Sequence, residues 1–223
     1  MKKIHHQLQT IEGKFIAGVL LVIVLLFAYY FFAKPADVIS NTTEEITISK
    51  TDHVRGAQDG ILTLVVFGDF QCPACAAYEP LVQQVVEDNK TIVKSVYKHF
   101  PLTQIHQNAM IAAKASEAAA LQGKFWEMHD LLYEKQKDWS LGINAYDVLL
   151  TYATTLGLDT NKFKEDLNNK EIEDKIFAEY KEGVRLGVQG TPTFFLNGKK
   201  LESPTSLESF NRLILETAAN LPK

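Results

Sequence analysis

Ile61-Leu62-Thr63-Leu64-Val65-Val66-Phe67 runs directly into Gly68-Asp69-Phe70-Gln71-Cys72-Pro73-Ala74-Cys75, and these two stretches together decide the fold. The first is almost continuously apolar and rich in β-branched residues, the pattern of a central strand buried on both faces. The second is a turn that opens a helix, because beyond it Tyr78, Leu81, Val82, Val85 and Val86 recur on one helical side. After the polar turn from Glu87 to Lys90, an apolar run from Ile92 to Tyr97 reads as another strand. Residues 61 to 97 therefore form a strand, helix, strand unit of the parallel crossover type. The chain is an α/β protein with its two cysteines at the start of a helix.

Working outward, strand signals vanish from about Leu102 to Lys170. Alanine-rich and amphipathic patterns replace them, broken at Gly123, Gly142 and Gly157, which predicts an all-α insertion. Within it Phe125, Met128, Leu132 and Trp139 carry the spacing of a stripe that faces a core, a packing feature rather than a cofactor site. A helix over about Glu171 to Leu186 stops before Gly187. Thr193 to Leu196 returns to strand character, and Asn197-Gly198 signals a two-residue hairpin turn into Lys199 to Leu201. A last helix is predicted over Ser206 to Ala219. Ahead of the first strand, Glu45 to Lys50 has the pattern of a further short one.

The amino-terminal end has a different character. From Phe15 to Ala33 there is no charged residue, and Lys14 and Lys34 bracket the run. As a helix it reaches about 28 Å, close to the hydrocarbon thickness of a bilayer. No small-x-small cleavage pattern sits at its end, so an uncleaved anchor is expected rather than a removed signal peptide. Lys2, Lys3 and Lys14 precede it against one acid, Glu12, whereas Asp37, Glu44 and Glu45 follow Lys34. By the positive-inside rule residues 1–14 stay in the cytoplasm, 15–33 span the membrane and 34–44 are a polar linker. The rest then lies outside the cytoplasm, as a first part at 45–101, the helical insertion at 102–170 and a second part at 171–223.

A net charge of -4 provides no basic field for a phosphate backbone, so nucleic-acid binding is excluded as a working function. Two cysteines in 223 residues make no disulfide scaffold, and a bridge between neighbours at 72 and 75 closes almost no loop. Zinc needs four ligands. The chain has no second cysteine pair, and His53, His99, His106 and His129 lack ligand spacing, so no metal site is expected. A redox pair fits better. With Pro73 as the first helical residue, Cys72 becomes the cap and faces the unpaired amides and positive dipole end of the helix, which stabilise its thiolate. Cys75, one turn further in, is close enough to form a disulfide and more buried. Asp69 is read as a residue that shapes the loop rather than a catalytic one, and His99 as structural.

The segment Phe67 to Cys75 resembles the active-site stretch of DsbA-like thiol-disulfide oxidoreductases, in the branch that includes membrane-anchored Gram-positive oxidases. Asp52 to Gly56 is similar to that family's lead-in, and Gly190-Thr191-Pro192-Thr193-Phe194-Phe195-Leu196-Asn197-Gly198 resembles its cis-proline loop, strand and turn. The resemblance implies a thioredoxin-like fold, carrying the helical insertion and preceded by the transmembrane helix. It implies catalytic Cys72 and Cys75 around Pro73 and Ala74, and a client-binding backbone at Thr191 and cis Pro192. No cofactor beyond the Cys72-Cys75 disulfide is implied. The implied activity is transfer of a disulfide to reduced secreted proteins, with reoxidation through a quinone-linked membrane partner, by a chain expected to be monomeric. The family often places an acid in the strand beneath the active site, and Ile61 to Phe67 contain none. A reductase would use the same two sulfurs, although reducing thioredoxins typically carry Gly-Pro between them; an isomerase usually calls for a dimerisation module. From another class, a thioredoxin-fold chaperone or binding module would leave the cysteines incidental.

Overall fold

A computed structural model describes residues 45–142 and 144–221, together with Phe27. Except for Phe27, which is helical, the expected anchor at 15–33 lies outside the described residues, as do 1–14 and the whole linker at 34–44. Among the described residues no helix is long and apolar enough to cross a membrane.

The chain enters through β1 (His53–Gly56) and β2 (Leu62–Gly68), crosses over by α1 (Pro73–Asp88) and returns as β3 (Val93–His99). Five helices follow without a strand: α2 (Ala109–Ala120), α3 (Phe125–Glu134), α4 (Gln136–Trp139), α5 (Ala145–Thr155) and α6 (Thr160–Asp166). The long α7 (Lys170–Arg185) leads back to β4 (Thr193–Leu196), β5 (Lys199–Lys200) and α8 (Leu207–Ala219). The sheet order is β1-β3-β2-β4-β5. β2 and β3 pair in parallel, from Leu62 against Val93 to Gly68 against His99, and the other pairs are antiparallel. This is the thioredoxin-like α/β fold with a helical insertion.

The alternation of side chains along β2 divides the core. Leu62, Leu64 and Val66 pack on one face with Val82, Val85 and Val86 of α1 and Phe210 and Ile214 of α8. Val65 and Phe67 point to the other, against Val96, Phe100, Phe195 and Val188, with Tyr180 of α7 over them. A third cluster belongs to the insertion. It gathers Phe125, Met128, Leu132, Trp139, Leu149 and Phe163, and it also encloses Phe70, Cys72 and Cys75. The Phe125 stripe is therefore packing, and it packs onto the cysteines.

Residues 45–50 form no strand. The Thr47 amide donates to a Glu182 carboxylate oxygen at 2.8 Å, and its carbonyl accepts from Lys98 at 2.9 Å. Side chains of α7 and β3 thus satisfy this backbone, leaving no ladder to join. The hairpin turn is as the Asn-Gly pair predicts: φ is 48° at Asn197 and 78° at Gly198, the left-handed values a two-residue turn between twisted strands requires.

Candidate active site

The end of β2 delivers the chain to the start of α1. Cys72 caps that helix in an extended conformation, Pro73 occupies its first turn, and no side-chain hydrogen bond caps it. Pro73 costs nothing there because the first-turn amide has no helical partner. The Cys72 carbonyl accepts from the Ala76 amide at 3.2 Å, and its own amide donates to the Asp69 carbonyl at 3.0 Å. Both cysteines are free thiols, 7% exposed at Cys72 and 4% at Cys75. The expected contrast in exposure is therefore small, because the insertion closes over Cys72 as well. Pro73 and Ala74 are exposed.

The Thr191-Pro192 peptide is cis, and it brings a distant segment to the sulfur. The Cys72 thiol donates to the Thr191 carbonyl oxygen at 3.2 Å. Four of the sequence-predicted site residues, Cys72, Cys75, Thr191 and Pro192, thus meet at the tip of α1, with Pro73 and Ala74 forming the surface beside them.

The two sulfurs are electrostatically unlike. A hydrogen bond from the Cys75 thiol does most to draw the Cys72 thiol down from 9.0 to about 5. Burial opposes that shift, while Thr191 and the backbone amides of Cys75 and Ala74 support it. The Thr191 hydroxyl is buried and otherwise unpartnered, so it is at hand to donate to an ionised sulfur. Cys75 moves the other way: burial first, then its bond to Cys72 and the charge there, push it well above 9.0. The surroundings thus favour the thiolate at Cys72 and the thiol at Cys75.

Gln136 and Gln71, which sequence reading overlooked, help to hold this arrangement, together with Asp69. Gln136 Nε2 donates to the Phe70 carbonyl at 2.8 Å and to the Cys72 carbonyl at 2.9 Å. Gln71 donates to the Ser140 carbonyl and accepts from the Asn108 amide, both at 2.6 Å. Asp69, 2% exposed, accepts from the amides of Gln71 and Leu102 and from His106 Nδ1 at 2.7 to 2.9 Å. That is the loop-shaping role read for it. His99 is wholly buried, with Nε2 2.8 Å from a Glu117 oxygen. One signal for Gln136 existed: it falls on the apolar stripe of Phe125, Met128, Leu132 and Trp139, where a polar residue must find buried partners.

Glu79, His129 and Asp130 present ligand-type atoms within 4.8 Å of one another. Arg55 already balances that charge, with Nη2 2.7 Å from both Asp130 oxygens and a longer contact to Glu79. The cluster is an ion-pair network on the flank of α1.

Comparison with known proteins gives a consistent picture. A family model described as Thioredoxin matches residues 48–216. The chain is similar to a thioredoxin-like oxidoreductase from Silicibacter pomeroyi, at TM-score 0.68 and 25% identity over 78% of this chain and 95% of that one. It has the same fold as oxidised BdbD from Bacillus subtilis, at TM-score 0.66 and 23% identity over 76% and 94% of the two chains. Wolbachia pipientis alpha-DsbA1 shares it at TM-score 0.68 and 19% identity over 78% and 94%. Among curated relatives, the Na(+)/H(+) antiporter NhaA 3 of Salinispora tropica is 40% identical over 169 residues, 76% of this chain and 25% of that one. The NhaA 1 antiporter of Salinispora arenicola is 41% identical over 169 residues, 75% and 25% of the two. The chain spans about a quarter of the length of these relatives.

Proposed function

Because the chain belongs to the thioredoxin family and has the fold of its DsbA-like members, we propose that it is a protein thiol oxidase acting through the Cys72-Cys75 disulfide. The observation that carries this reading is the split of the two sulfurs, with Cys72 drawn down to about 5 and Cys75 pushed up. A stabilised Cys72 thiolate favours the reduced form of the pair, which makes the disulfide a ready donor, and it makes Cys72 a good leaving group.

In the first step a client thiolate attacks Cys72 Sγ, the Cys72-Cys75 bond breaks, and Cys75 leaves and takes up a proton. A second client thiolate then attacks the client sulfur of the mixed disulfide and expels Cys72 as thiolate. The client loses two electrons and leaves with a disulfide, and the pair is left as a dithiol. The backbone of Thr191, whose carbonyl now accepts from the Cys72 thiol, would pair with an extended client as an added strand and so accept many sequences. Two electrons must then leave the dithiol, and a quinone-linked membrane protein is the proposed acceptor. The proposed setting is extracytoplasmic, with 15–33 as a membrane anchor, reduced secreted proteins as clients and the chain working as a monomer. Sodium-proton antiport is no part of the proposal, since the chain matches only 25% of the length of those antiporters.

Equilibrating the full chain with glutathione buffers tests the direction of flow. The expected potential lies near that of a strong oxidant, about -120 mV, and a value near the -270 mV or so of thioredoxin reverses the assignment to a reductase. Cys72→Ser should abolish oxidation of a reduced client, whereas a variant lacking both cysteines that still promoted client folding in full would favour a chaperone.

A further inference from the structure

We propose that Gln136, the first residue of α4, is a positioning residue for Cys72, through which the helical insertion holds the start of α1 in the geometry the sulfur needs. The proposal rests on the redox reading of Cys72. A helix that begins with Ser, Thr, Asp or Asn has its first-turn amides bound by that side chain. Here the cap is Cys72, which makes no capping bond, and the first-turn amides of Ala74 and Cys75 are left to serve the sulfur. Something else must order the turn.

Gln136 does so from the side. Its amide nitrogen meets the carbonyls of Phe70 and Cys72 at 2.8 and 2.9 Å. Both partners are acceptors, so the nitrogen must face them. The Cys72 carbonyl at the same time accepts the first helical bond, from Ala76. Held this way, the two carbonyl dipoles are engaged and the turn is fixed on either side of the sulfur. Without Gln136 the Phe70 carbonyl loses its donor and the Cys72 carbonyl keeps only the bond from Ala76, so the turn loses its tie to the insertion on both sides of the sulfur and the amides beside it are held less firmly. The residue is 8% exposed, and its register is set by the buried stripe of Phe125, Met128, Leu132 and Trp139 around it. Gln71 bonds to Asn108 and Ser140 as a second tie between loop and insertion.

Gln136→Met keeps length and volume and removes the two donors. In the full chain, the Cys72 thiolate titration and the equilibrium with glutathione are read beside a folding check by circular dichroism. The expected result is a rise of about one unit in the Cys72 pKa and a roughly tenfold shift of the equilibrium toward the disulfide, equal to about 30 mV. Leu149→Ala, a cavity in the core of the insertion, should weaken folding while leaving both readouts in place. Should Q136M fail to fold, Gln136→Asn, one methylene short of the carbonyls, reads the same quantities. A folded Gln136 variant with an unmoved pKa and equilibrium overturns the proposal, and so does a Leu149→Ala shift of equal size. A wild-type Cys72 that titrates near 9 overturns instead the redox reading on which it stands.

Discussion

Within the Cys-Pro-Ala-Cys segment, one residue acts through its sulfur's surroundings more than through its exposure. Cys72 is nearly as buried as Cys75, yet the two are shifted in opposite directions. A folded-state pKa of about 5 against 9.0 makes the reduced protein gain stability as pH rises between those values. It loses that stability as pH falls through about 5. Cys75, raised above 9.0, contributes nothing below that pH. The gap sets a ceiling of about 5 kcal/mol, reached only above about pH 9, and about half of it, roughly 2–3 kcal/mol, is expected at neutral pH. Urea unfolding of reduced and oxidised protein from pH 4 to 8 checks this: the reduced form should gain relative to the oxidised form as pH rises. A difference that stays flat would contradict the thiolate assignment. The placement of Cys72 and Cys75 at the start of a helix was legible in the chain because short-range spacing sets it. Gln136 and Glu117 were not, since the partners of a polar side chain come from elsewhere in the sequence.

Strand β2 and helix α1 show how far an element can be read from its own residues. The apolar run of β2 and the stripe of α1 predict both, and α1 continues through Pro80 although a proline costs an interior hydrogen bond. Packing of Val82, Val85 and Val86 under the sheet outweighs that local loss. At 45–50 the same kind of reading fails, because Glu182 and Lys98 take the backbone groups a ladder needs. The junction of β2 with α1 carries its own prediction. A side chain at Gly68 would meet Tyr97 at 2.6 Å and the Tyr133 hydroxyl at 2.9 Å, where the two tyrosine hydroxyls pair at 3.0 Å. Gly68→Ala should therefore cost about 1–3 kcal/mol of stability, measured by urea unfolding. A loss below about 0.5 kcal/mol would mean that the tyrosines yield freely.

Across the whole molecule, Glu117 binds the insertion to the rest. Its Oε1, on α2, lies 2.7 Å from His53 of β1, 2.8 Å from His99 of β3 and 2.6 Å from Lys175 of α7. Burial alone would raise its pKa, but the bonds from His53 and His99 and the Lys175 charge hold it well below 4.5. Glu117→Gln should cost about 3 kcal/mol at neutral pH, because it removes the buried charge that the half-buried Lys175 pairs with. The advantage of the wild type should be full above about pH 4.5 and shrink as pH falls below it. A neutral-pH loss under 1 kcal/mol would show that Glu179, 2.9 Å from Lys175, suffices. The sequence by itself determined the α/β unit, the helical character of 102–170, the Asn197-Gly198 hairpin and the cysteine pair at a helix start, all of which follow from periodicity and spacing between near neighbours. Only the tertiary structure decided that Thr191 reaches Cys72, that the insertion encloses both sulfurs, and that Gln136 and Glu117 bridge it to the sheet. Those contacts join residues scores of positions apart, and the buried polar groups take part in them because each must find its partner across the fold.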